Sequence, residues 1–206
     1  MNRPPAWRAG LMIGTLLLAG TTACTGGSPQ DKDDSSPAAA SPSRSAPSSV
    51  PMRVKVTHVA GRLSDQRRRA LAVRVGRTIS AYVDKAFLTG PYPRSEFAGS
   101  FASFTPGAAR QARGDQALLT NRPLGPTTRS VHASRRTAYL SVLAARQAVA
   151  GVTAAVNLVF VVDRGDAAKQ RVRLKGRLLL TRDKRGTWKI FGYDLNRSRV
   201  RPGRGS

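Results

Sequence analysis

From Val131 to Tyr193 apolar residues return at every second position in run after run, which ties this part of the chain to extended strands whose alternate side chains face opposite sides of a sheet. Ala138, Leu140, Val142 and Ala144 alternate with Tyr139, Ser141 and Leu143. Val152 to Val162 is a long β-branched run with Val156, Leu158, Phe160 and Val162 on one face, and Arg164-Gly165-Asp166 makes a turn. Val172, Leu174, Gly176, Leu178 and Leu180 then face one way, and Arg171, Arg173, Lys175 and Arg177 the other. Asp183-Lys184-Arg185-Gly186 is a hairpin turn, after which Thr187 to Tyr193 returns as the last strand.

The period upstream is different. Met52, Val54 and Val56 alternate with Arg53, Lys55 and Thr57, a short strand or an ordered lead-in. Ser64-Asp65-Gln66 then starts a helix, since the Ser64 hydroxyl can accept from the unpaired amides of the first turn and Asp65 suits the dipole. Leu71, Val75, Ile79, Val83 and Phe87 recur at every fourth residue, and Gly90-Pro91 stops the run. Phe97, Phe101 and Phe104, with Ser95 as cap, predict a short second helix; Thr105-Pro106 opens a third, running to about Leu119. Asn121 to Thr128 is a Pro- and Gly-bearing loop. Helices segregated from three or four long antiparallel strands define an α+β domain, expected over residues 52–198, with 199–206 a disordered basic tail.

The first residues belong to no fold. Arg3 and Arg8 precede an apolar run, Ala9 to Gly20, that is shorter than the ~20 residues a bilayer span needs. It reads as the core of a signal peptide. Thr21-Thr22-Ala23-Cys24 follows, holding the chain's single cysteine, and resembles the lipobox of bacterial lipoproteins, with threonine at position 21 where leucine is commonest. The resemblance implies a diacylglyceryl thioether on Cys24 and cleavage just before it, so that residues 1–23 are removed and acyl chains hold the protein on the extracytoplasmic face of the cell membrane. Residues 25–51 are mostly Ser, Pro, Ala and Gly, with Asp31, Asp33 and Asp34 against Lys32 and Arg44 and with Val50 as the one large apolar side chain, too little to offset the entropy of ordering. They are expected to be a disordered tether, with a coil reach of ~5–6 Å × √n.

The order of elements from Ser64 to Arg197, together with the closing strand Gly-Thr-Trp-Lys-Ile-Phe-Gly-Tyr-Asp at residues 186–194, is similar to the nuclear-transport-factor-2-like superfamily, in particular to its mammalian-cell-entry-associated members in the actinobacterial envelope. That resemblance implies a cone in which a curved sheet wraps the first helix and leaves a pocket at its open end. Members of the superfamily include enzymes, ligand binders and assembly modules, so the fold does not choose among functions.

Chemistry has few places to sit. One cysteine and two distant histidines, His58 and His132, exclude a disulfide framework and the common zinc spacings, and no Gly-rich phosphate loop is present; no metal or cofactor is expected. Asp84 beside Tyr82 and Asp194 beside Tyr193 could supply an isomerase-like Asp base, the superfamily's alternative to a binding module. The simpler reading makes Asp84 a salt-bridge partner and Asp194 a strand-end cap. Asp163, Asp166 and Asp183 are turn residues. Phe97, Phe101 and Phe104, with Trp188 and Phe191, could line a pocket for an apolar ligand, or they pack the core.

The formal charge is +24. Genomic base composition can enrich arginine, but Arg171, Arg173, Lys175 and Arg177 on one side of one strand repel one another unless solvated or near an anion. Anionic headgroups, wall polymers and an envelope protein are the candidate partners beyond the anchor. Nucleic acid fits the charge, but export removes it from the natural setting.

Overall fold

The computed structural model describes residues 50–200 apart from residue 147. The expected signal peptide, Cys24, the tether up to Ser49 and the tail from Arg201 lie outside the described residues, which all fall in one compact unit, Arg44–Ser206.

The chain is α+β. Strand β1 (Arg53–Ala60) leads into helix α1 (Asp65–Val83); helices α2 (Pro106–Gly114) and α3 (Gln116–Leu119) follow, and then the strands β2 (Ser130–Ala145), β3 (Ala148–Arg164), β4 (Ala167–Arg182) and β5 (Trp188–Arg199). They form one five-stranded sheet in sequence order. β2 to β5 are an antiparallel meander; β1 joins the edge parallel to β2, with Val54 opposite Ala138. Alternation alone places β1 in a sheet but says nothing of its direction, which is set by the long helical connection that returns the chain to the same end.

Local rules account for the helix starts. The Ser64 hydroxyl accepts from the Arg67 amide and the Thr105 hydroxyl from the Ala108 amide, with Pro106 in the first turn. α1 then loosens into a π turn over Asp84–Leu88, closed by the Thr89 amide donating to the Asp84 carbonyl five residues back. The wider turn has a cause in the sequence. Apolar residues spaced strictly by four drift around a 3.6-residue helix, and the π turn brings Phe87 back onto the buried stripe with Leu71, Val75, Ile79 and Val83.

Two expectations are corrected. The phenylalanine segment forms one 3-10 turn, Ala98–Phe101, whose cap position is Phe97 with no side-chain bond, so Ser95 does not cap it. The third helix breaks at Asp115 into α2 and α3.

All the helices pack on one face of the sheet. Leu71, Val75, Ile79 and Phe87 join Leu140, Val142, Leu158, Phe160, Leu174, Leu178 and Ile190 in a single core, each such side chain worth roughly 1.5–3 kcal/mol on burial. Two glycines permit close approach. A Cβ on Gly76 would lie 2.9 Å from Val54, where α1 crosses β1; one on Gly176, whose φ is +146°, would run into the Asp194 carbonyl.

Candidate functional site: the open face of the sheet

Because strand side chains alternate, the face away from the helices carries the residues that the core rejects. Arg171, Arg173, Lys175 and Arg177 are all exposed there, while Val172, Leu174 and Leu178 point into the core. The register extends this ladder sideways. Lys175 stands opposite Asn157 on β3 and Asn196 on β5; Arg173 stands opposite Val159 and Ser198; Arg177 faces Ala155 and Asp194. On the far side of β3 come Arg135 and Thr137, then Arg53 and Lys55 on β1. Asp194 is thus a carboxylate of the open face, mid-strand and exposed, and not a strand-end cap.

Successive charges on β4 are two residues, or ~7 Å, apart, so each neighbouring pair repels by only ~0.6 kcal/mol in water. Solvation tolerates that, and an anion would remove it. Val159, on the open face and outside the main core, is still only 6% exposed between its cross-strand neighbours Arg135 and Arg173, whose long apolar stems are able to cover such a position.

Towards the β2–β3 hairpin the same face turns apolar. His58, Ala60, Ser141, Leu143, Gly151, Thr153, Leu179 and Phe191 line a shallow trough of about 300 Å³. Leu143 is 57% exposed, Phe191 48% and Tyr139 50%. A register shift between Leu179 and Leu180 leaves Phe191 as the extra residue of a β-bulge, exposed next to buried Trp188 and Ile190, and returns Tyr193 to the core face. Leu143 was legible as an apolar residue on the polar side of its strand. Phe191 was not, because no residue type announces that bulge.

The remaining sequence candidates are dispersed. Phe101 and Phe104 are core residues, their rings 5.3 Å apart, with Phe104 edge-on to Tyr82 at 5.0 Å. Phe97 lies beneath the Arg94 guanidinium at 4.0 Å and borders a shallow cleft with Lys85, Thr89 and Glu96. Trp188 is buried under Arg182. Of these four rings Phe97 alone borders that cleft. Another cleft, lined by Leu63, Arg67, Leu71, Arg74, Ala148, Val149 and Arg182, lies at the same strand ends on the helix side.

Asp84 forms an ion pair with Arg136, Oδ1 to Nη2 at 2.8 Å, the guanidinium being buried and the carboxylate one-third exposed. Its neighbour Tyr82 is fully buried and donates to the Leu119 carbonyl at 2.9 Å; burial first, then Tyr193, raises its pKa. Tyr193, on the core face, donates to Asp115 Oδ2 at 2.6 Å, and desolvation followed by that carboxylate holds its phenol well above the ordinary 10.0. Asp194, the next residue, points the opposite way. Arg197 donates to the carbonyls of Ala117 and Thr120 and to Asn121 Oδ1, and burial lowers its pKa.

Asp163 and Asp183 are turn residues: each Oδ1 accepts from backbone amides, of Gly165 in the first case and of Arg185 and Thr187 in the second. The Gly165 amide, more than any charge, lowers the pKa of Asp163. His132 is exposed beside Ser130. Among the described residues no three His, Cys, Asp or Glu side chains gather as a metal site, and no helix is long and apolar enough to cross a membrane. Comparison of the chain with known protein families, with curated proteins and with solved structures gives no match.

Proposed function

We propose that this chain is an exported bacterial lipoprotein, held on the extracytoplasmic face of the cell membrane by acyl chains on Cys24, and that its basic domain is a non-catalytic binding or assembly module of the envelope with the cone-like arrangement of nuclear-transport-factor-2-like proteins. One observation carries the module reading. The two carboxylates with adjacent tyrosines stand apart, Asp84 neutralising Arg136 and Asp194 lying on the opposite face of the sheet from Tyr193, so they do not converge with donors in one concave site. The face left open is instead cationic. The helix-then-meander order supports the cone-like kinship, and the apolar run ahead of the single cysteine supports the anchor.

Membrane fractionation tests the anchor. Expressed in an actinobacterial host, the native chain should sediment with membranes and dissolve only in detergent, whereas Cys24→Ala should lose most of its membrane-bound fraction. Equal partitioning of both forms would refute the anchor.

A further inference from the structure

We propose that the open face of the sheet is a docking surface for an anionic phospholipid bilayer, with Leu143 and Phe191 entering the interface and Arg173, Lys175 and Arg177 meeting the headgroups. This deepens the anchored-module reading and rests on it for which surface lies within reach.

The order of residues along the strands carries the argument. Starting from the β2–β3 hairpin, the face presents first Leu143 beside Gly151, then Ser141, Thr153 and Leu179, then the row Lys55, Tyr139, Ala155, Arg177, and then Arg53, Thr137, Asn157, Lys175. From Leu143 to the Lys175 row is six residues, or ~20 Å of strand. Apolar side chains, an aromatic with a polar tip, and cations follow one another over that length. The same sequence of environments is met on leaving the acyl region of a bilayer for its charged surface.

Other occupants satisfy only half of this pattern. An anionic wall polymer would neutralise the cations and leave Leu143, Leu179 and Phe191 in water. A second copy of this chain would cover the trough but set Arg173, Lys175 and Arg177 against a surface of the same sign. An anionic bilayer satisfies both parts, and each basic residue near such a surface is worth roughly five-fold in binding.

The test uses the full-length chain with Cys24→Ala in every sample, so that no acyl anchor contributes. Leu143→Cys then supplies the single thiol for an environment-sensitive fluorophore, and because Leu143 is more than half exposed the exchange spares the core. With phosphatidylglycerol-containing vesicles the label should brighten several-fold and shift to the blue; a label at Asp166→Cys, in the turn at the other end of β3, should not change. Phosphatidylcholine vesicles should leave the label at 143 in water. Replacing Arg173, Lys175 and Arg177 together by Gln should raise the lipid needed by about 100-fold, whereas Arg→Lys at the two arginines should bind as the parent does.

An unchanged label at 143 on anionic vesicles, an equal response to both lipids, an equal response from the label at 166, or a lipid-free response that grows with protein concentration would each overturn the proposal, the last in favour of a second copy. A Cys24 without lipid in cells would defeat the anchor and leave these results unaltered.

Discussion

Arg136 is a charged residue on the core face of a strand. Counting back by twos from Leu140 and Ala138 places it inward, and it is 5% exposed. A guanidinium there is tolerated because Asp84, on the π turn after α1, lies 2.8 Å away. Removing the carboxylate strands a buried cation, which costs ~3–5 kcal/mol for a wholly buried pair and less here because Asp84 meets solvent; removing the arginine in favour of an apolar side chain strands nothing. Asp84→Asn should therefore lower unfolding stability by ~2 kcal/mol, and Arg136→Met by less than ~1 kcal/mol. Urea denaturation distinguishes the two. An Asp84→Asn protein as stable as the parent would release Asp84 from its structural role and reopen the question of a catalytic one. The sequence identifies Asp84 as an ion-pair partner in an arginine-rich domain, and alternation turns Arg136 inward, but only the packing of the π turn against β2 brings the two together.

At the level of elements, α3 is fastened to β5 by polar contacts: Tyr193 to Asp115, and Arg197 to the carbonyls of Ala117 and Thr120. Tyr193 keeps its proton in the folded protein to higher pH than in the unfolded chain, so its contribution is complete below the ordinary tyrosine value of 10.0 and is lost as pH rises above it. The native protein should lose more stability between about pH 9 and 11 than Tyr193→Phe does, read from paired denaturation curves. Equal losses would show that the phenol titrates alike in both states. Caps such as Ser64 and Thr105, and the strand alternation from Ala138 to Leu180, were legible because each follows from a residue and its near neighbours. The π turn, the parallel pairing of β1 and the bulge at Phe191 were not. They depend on partners far along the chain, as does the shrinking of the phenylalanine segment to a 3-10 turn beneath Arg94 and β5.

For the whole molecule, one sheet has helices on one side and cations with an apolar end on the other. The core was readable almost residue by residue, and so was the β4 ladder, because both are consequences of a two-residue period. The surface that adjoins the ladder was not, since Arg53, Lys55, Arg135, Leu143 and Phe191 are brought beside it only by the pairing of five strands. The central claim, that this open face is the working surface of a membrane-held domain, is tested most directly by lysine acetylation of the full-length protein in its native membranes, read by mass spectrometry at each site. Lys55 and Lys175 should be protected relative to Lys85, which is exposed on the helix side of the sheet, and high salt should restore their labelling. Labelling of Lys55 and Lys175 as rapid as that of Lys85, with or without salt, would contradict the claim.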